Sequence, residues 1–397
     1  MNYLNHLQII EKIYKELSTT RLTNNIGLHA GSSGIALFIA YYDRIVNREE
    51  SINQRILDII NHNIECINLG ERQQSICSGI SGFGWLCEHL KNLHAFNEKN
   101  IEFLKDLDVY LFSKMILDIK NGNYDYLHGA LGVGTYFLTR FYRKEISDIL
   151  ILLLCELEKS GTHCENGAIK WISNLNIEGK KGCNISLSHG MSSIAAFLIR
   201  LHQIKFEVER VDKLLIQTIV YIIDQITYTD NSISFFPTYS KESSLDNHYS
   251  RLGWCYGDLG ISYILLEAAL VLNNKEWEII ALRILLHSCK RRDLHKNGIR
   301  DAGLCHGSAG ISHIFWNLYL KTQIQEFRIA SDYWLNITMQ MFNNDDELLG
   351  FKAWRTEESG GPIISNTLLE GLAGIGLAFL SRISGDKLSW DECIMLN

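Results

Sequence analysis

Two short stretches concentrate reactive side chains: Gly253-Trp254-Cys255-Tyr256-Gly257-Asp258-Leu259-Gly260 and Leu304-Cys305-His306-Gly307-Ser308-Ala309-Gly310. Each is a polar or reactive tip, then Gly-x-x-Gly, then an apolar run, so the two tips should hold equivalent places in successive structural units. Side by side, Cys255, Cys305 and His306 form a Cys/Cys/His donor set, which suits zinc in a site that keeps its fourth position open for water or substrate. Taken singly, either cysteine reads as an ordinary buried thiol, because free Cys is among the most buried residue types. The pair plus an imidazole at one repeat position reverses that reading.

The elements that must position these tips are themselves repeated. Gly-x-x-Gly or a near relative opens an apolar run at Gly31, Gly79, Gly129, Gly190, Gly257, Gly307 and Gly371. The intervals between them hold two helices and their connections. The runs that follow, such as Ile35 to Tyr42 and Ile261 to Ala269, are apolar nearly all round and predict buried helices. The intervening segments, such as Ile52 to Leu69 and Val208 to Tyr228, carry a polar stripe at helical spacing and should face water.

An open helical array needs polar caps at both ends, yet the last unit, Gly371 to Ile383, is as apolar as those in the middle. The expected fold class is therefore all-α: a closed α/α toroid (barrel) of seven helix-pair repeats, with inner and outer helical layers and the tips at one end. Nothing resembles a linker, so a single domain spanning 1–397 is expected. A small extended insertion around 161–187 interrupts it, where Ala168 to Ile172 alternates like a strand. Thr229 to Ser250 and Asn343 to Ser365 are polar connections of the kind that carry binding surfaces in repeat proteins.

With 46% hydrophobic and 21% charged residues the chain has an ordinary soluble composition. Its net charge of −7 argues against nucleic acid as a partner, and Lys180-Lys181 and Lys290-Arg291-Arg292 read as solvated faces. The ten cysteines are scattered and no signal peptide precedes them. No apolar run approaches the ~20 residues of a membrane-spanning helix. A cytoplasmic chain with free thiols and no transmembrane segment is expected.

Just before the first glycines stand Ala30, Ser78, His128, His189, Tyr256, His306 and Glu370, and one place earlier His29, Cys77, Leu127, Ser188, Cys255, Cys305 and Leu369. His29 and Cys77 supply only two donors and read as structural. His128 and Glu370 share the tip position but receive no role.

The Trp-Cys-Tyr-Gly of 254–257, the Cys-His-Gly of 305–307, the Ser-His-Gly of 188–190 and the repeated Gly-x-x-Gly resemble the lanthionine synthetase C-like cyclases from Gly31 to Ile383. One departure is Ser193, which replaces the second glycine of its tip. The resemblance implies a barrel that uses Zn2+ on Cys255, Cys305 and His306 to close thioether rings in a ribosomally made peptide. The residues suit that chemistry. A free thiol has a pKa of about 8.5, and coordination deprotonates it. Its addition to the β-carbon of dehydroalanine or dehydrobutyrine gives an enolate, which needs stabilisation and then a proton.

By the same resemblance His189 matches the acid/base histidine, while Asp125, Arg251 and Tyr256 match positions near it or the metal. Asp125 would orient an imidazole or a reacting group and Arg251 would steady the oxyanion. Their structural alternatives are a helix cap for Asp125, a loop carboxylate partner for Arg251 and packing on the metal site for Tyr256. The implied partners are a dehydrated precursor peptide, a separate dehydratase and a transporter, an assembly that could hold the chain at a membrane peripherally. Two other functions remain open: addition of glutathione to dehydroamino acids in proteins, and a non-catalytic, zinc-stabilised peptide-binding scaffold.

Overall fold

The computed structural model describes residues 3–49, 51–177, 180–229, 232–243 and 249–396. Residues 178–179 of the expected insertion, 230–231 and 244–248 of the Thr229-to-Ser250 connection, and Met1 and Asn2 lie outside the described residues. Helix α1 (Tyr3–Thr19) precedes the first tip, which opens α2 (Ser32–Tyr42), and α3 (Gln54–Asn68) follows. The alternation continues with α4 (Ile80–Asn92) and α5 (Leu104–Lys120), then α6 (Ala130–Thr139) and α7 (Lys144–Ser160). After the insertion come α8 (Met191–Gln203), α9 (Val208–Asp224), α10 (Asp258–Val271), α11 (Lys275–Ser288), α12 (Ser308–Thr322), α13 (Gln325–Gln340) and α14 (Leu372–Ser384).

All seven expected tip glycines are the residues immediately before a helix: Gly31, Gly79, Gly129, Gly190, Gly257, Gly307 and Gly371. The reason is close approach of backbone: a Cβ on Gly190 would lie 2.0 Å from the carbonyl oxygen of Asn184. The helices they open are buried all round, as the apolar runs require; in α10 every residue from Asp258 to Ala269 is buried. The alternate helices bury one stripe. In α9 that stripe is Val211, Leu214, Leu215, Thr218, Ile219, Tyr221 and Ile222, at three- and four-residue spacing.

Contacts gather the chain into two compact units. One holds Val109 and the described residues before it together with Ile299–Cys393. There α2 packs on α1, α3, α4 and α14, and α12 packs on α13 and α14. Helix α1 also packs on α14, so the last inner helix takes its outer partner from the start of the chain. The tips in this unit are tied in series by backbone bonds: Cys305 N to Leu369 O (2.9 Å), Leu369 N to His29 O (3.1 Å) and His29 N to Cys77 O (3.1 Å).

The other unit holds Tyr110–Gly298 and Ile394–Leu396. In it α8 packs on α6, α9 and α10, and Leu187 N donates to Cys255 O at 3.0 Å, joining the α8 and α10 tips. The expected insertion forms two antiparallel hairpins, β1 (Thr162–His163) with β2 (Ile169–Lys170) and β3 (Ser173–Ile177) with β4 (Lys180–Gly182). It is anchored rather than loose. Trp171 is buried, its Nε1 donates to Leu157 O at 2.9 Å, and its carbonyl accepts from the Tyr124 hydroxyl at 3.0 Å.

Candidate metal centre and acid–base pair

The α10 tip is held from both sides. Trp254 is buried and its Nε1 donates to Ile394 O at 2.7 Å, pinning the C-terminal stretch. Cys255 beside it is buried. Gly257 has φ +96°, a left-handed conformation that an L side chain adopts only with strain, and a Cβ there would lie 2.1 Å from Arg251 O. Asp258 then opens α10 fully buried, its carboxylate accepting from Phe235 N, Phe236 N and Arg291 Nη1 at 2.8 to 3.1 Å. Arg291 also donates to Ser250 O and Asn297 Oδ1. The expected solvated face at Lys290-Arg291-Arg292 is thus corrected at its middle residue. Lys290 and Arg292 are exposed, but Arg291 turns inward to clamp the loop before the tip. Burial pushes the Asp258 carboxyl up and the Arg291 guanidinium down, each drawn back by the other's charge.

At the α12 tip, the Cys305 amide is fixed by Leu369 O, and His306 Nε2 lies 3.8 Å from Asp301 Oδ2. Asp301 is buried; its Oδ1 accepts from Gly303 N at 3.0 Å and its Oδ2 from Trp354 N at 2.9 Å. The ligand atoms of Cys255, Cys305 and His306 all lie within 4.8 Å of one another, and no other group of three such donors gathers so closely among the described residues. Zinc bonds of ~2.0–2.3 Å place tetrahedral ligand atoms ~3.3–3.8 Å apart, so small side-chain shifts close these three on one ion. The donor set fits zinc, and a carboxylate beside a ligating imidazole is the usual support for such a ligand.

Sequence reasoning missed Asp301, although a signal was present. Asn25, Asn184 and Asp301 each stand six residues before their tip glycine. Each uses Oδ1 to accept the amide two residues on, at Gly27, Ser186 and Gly303. Where the turn needs only an amide oxygen, a carboxylate adds charge, and it does so in the tip that carries Cys305 and His306.

His189 at the α8 tip is held by Asp125 from the turn before α6. Nδ1 of His189 lies 2.7 Å from Asp125 Oδ2, with the side chains 17% and 10% exposed. Asp125 Oδ1 accepts from His128 N at 2.8 Å, so the carboxylate closes its own turn and orients the imidazole as well. A carboxylate at Nδ1 accepts its N–H, which leaves Nε2 for chemistry. Tyr256 sits with its ring 6.2 Å from that of His189, and its hydroxyl accepts from Asn184 Nδ2 at 3.1 Å. Burial pushes the Tyr256 phenol up to about 12, partly opposed by the Asn184 hydrogen bond.

The Arg251 side chain is exposed and makes no hydrogen bond or ion pair with the described residues. Glu370 pairs with Arg355. His29 is fully buried, with Nε2 2.6 Å from Cys393 O. All ten cysteines are outside any disulfide, and no described helix is long and apolar enough to cross a membrane.

A family model described as "Lanthionine synthetase C-like protein" matches residues 23–395. The chain is 26% identical to "Nisin biosynthesis protein NisC" of Lactococcus lactis subsp. lactis over 374 residues, 84% of this chain and 86% of the relative. It is 23% identical to "Glutathione S-transferase LANCL1" of Danio rerio over 303 residues, 74% of this chain and 70% of the relative. Among solved structures, "Nisin cyclase" superposes with a TM-score of 0.75 at 20% identity, covering 99% of this chain and 96% of that one. That likeness bears out the all-α, α/α-toroid fold class expected from the glycine-led repeats.

Proposed function

The chain belongs to the lanthionine synthetase C-like family, and from that premise we propose that it is a zinc-dependent lanthipeptide cyclase. Its reaction would be intramolecular addition of cysteine thiols to dehydroalanine or dehydrobutyrine in a precursor peptide, giving lanthionine and methyllanthionine rings. The observation that carries this reading is the Cys255, Cys305 and His306 donor set, whose ligand atoms lie close enough for one ion. When bound there, zinc supplies the charge that keeps a substrate thiol deprotonated at neutral pH.

The remaining work falls to side chains of the chain. The thiolate adds to the β-carbon, the double-bond electrons move onto the carbonyl oxygen, and His189 Nε2 gives a proton to the α-carbon while Asp125 holds Nδ1. Arg251, exposed at the tip of α10, steadies the oxyanion, and Tyr256 walls the His189 ring. Because the electrophile must be made first, a dehydratase supplies the substrate, and a transporter removes the product. Free thiols suit a cytoplasmic setting.

The test combines metal analysis with thiol counting. Wild type should hold one zinc and consume the alkylatable thiols of a dehydrated precursor, and Cys255→Ala and Cys305→Ala should lose both properties. Thiols that stay fully alkylatable with zinc-loaded wild type would reject the cyclase. The LANCL1 relative supports a second reading, transfer of glutathione to dehydroamino acids in proteins. Consumption of glutathione in place of peptide thiols would select it.

A further inference from the structure

Four rings stand in a row in the unit that contains His189. His128 lies 5.9 Å from His189 with planes 19° apart, His189 lies 6.2 Å from Tyr256, and Tyr256 lies 5.9 Å from Tyr239 at 78°. His128 is exposed and the other three are half-buried, whereas their chain neighbours Leu127, Ser188, Cys255 and Ser240 are all buried or nearly so. Neighbouring rings that all keep some exposed surface are what a ligand with flat faces would need. His189 and Tyr256 already have places in the site. His128 and Tyr239, at the two ends, have none.

The end rings rest on firm supports. His128 follows from the turn that Asp125 closes. Tyr239 lies on a segment pinned at several points: Phe235 and Phe236 on the buried Asp258, Lys241 N on Gln225 Oε1 at 2.8 Å, and Ser240 N on Cys183 O. Pro237 stiffens it further.

Resting on the cyclase reading, the geometry points to this row as the subsite for the dehydrated residues of the precursor. Dehydration turns a tetrahedral Ser or Thr into a planar alkene conjugated with its amide, which can lie against ring faces as its parent cannot. A dehydro residue laid along the row has its α-carbon beside His189, where the proton is needed. His128 and Tyr239 bind the neighbouring unsaturated residues and thereby favour dehydrated over undehydrated peptide.

The test uses zinc-loaded full-length protein and one precursor peptide in two forms, dehydrated and undehydrated, with its cysteines alkylated so that no ring can close. Wild type should bind the dehydrated form about tenfold more tightly, and His128→Ala and Tyr239→Ala should each cut that preference by about 2- to 10-fold. His128→Phe and Tyr239→Phe should keep it. Equal affinity of wild type for the two forms, or an unchanged preference in both alanine variants, overturns the subsite. So does an equal loss of both forms, which marks a general peptide contact. Ring closure on unalkylated peptide separates the two claims: closure without preference leaves the cyclase standing and removes the subsite, and preference without closure does the reverse.

Discussion

His189 Nδ1 lies 2.7 Å from one oxygen of Asp125, and the other oxygen accepts the backbone N–H of His128 at 2.8 Å. One carboxylate is thus anchored to the chain and anchors an imidazole. Its charge matters because it accepts from Nδ1 in every protonation state of the ring, keeping Nε2 as the exchanging nitrogen.

Replacing the carboxylate by an amide tests this directly. Asp125→Asn keeps an oxygen for His128 N but turns an amide NH2, which can only donate, toward His189 Nδ1, so the Nδ1–H tautomer is no longer favoured. The closure rate should fall about 100-fold with zinc content unchanged, as should that of His189→Asn. A rate within about twofold of wild type would remove the pair from the reaction.

Asp301 should act through the metal instead. Asp301→Asn keeps one oxygen for the turn to Gly303 N, gives up the acceptor for Trp354 N, and removes the charge that faces His306. Zinc affinity should drop about tenfold or more, read by competition with a chelator, while the fold is kept. Equal resistance to the chelator would leave Asp301 a turn residue like Asn25 and Asn184.

The buried pair of Asp258 and Arg291 is expected to cost most when broken on one side. Arg291→Met leaves a carboxylate in the core with only two amides, and the loss in urea unfolding should be roughly 3–5 kcal/mol. Adding Asp258→Asn to it should recover part of that loss, because no uncompensated charge remains. A double variant less stable than the single one would show that the amides of Phe235 and Phe236, and not the charge, govern the site.

These cases show what could be read from sequence. The helix starts were legible because six of the seven tip glycines are demanded by a carbonyl six residues earlier, and Gly307 by the Gly303 amide and the Asp301 side chain, and the inner layer because its helices have no polar face. Cys255, Cys305 and His306 were legible as a set because repeats put equivalent positions together. Arg291 was misread because a three-residue basic run carries no sign of which member turns inward. Its acceptor, Asp258, is 33 residues away. The pairing of α1 with α14 depends on the two ends of the chain, which no local pattern connects. Arg251 remains a reading of the motif alone, since its side chain has no described partner.

Acid sensitivity should come from a residue remote from chemistry. His89 is buried against Trp85, ring centroids 4.5 Å apart, with Nε2 2.9 Å from the Tyr41 hydroxyl. Burial pushes its pKa down to about 3, with a small opposing pull from Asp391 and a further push from Arg44. Between the ordinary histidine value near 6.5 and about 3, the unfolded chain takes up a proton that the folded chain refuses. The contribution is therefore complete above about pH 6.5 and is lost as pH falls, by about 1.4 kcal/mol per unit, or roughly 2 kcal/mol by pH 5. His6 and His313, also pushed down by burial, act in the same direction. The contribution of His89 is isolated by His89→Phe, which keeps a ring on Trp85 and leaves the Tyr41 hydroxyl its Ser389 partner. Urea unfolding at pH 7 and pH 5 should show the stability gap between wild type and variant shifting by roughly 2 kcal/mol in favour of the variant. Parallel losses in the two proteins would mean that His89 is protonated in the folded state.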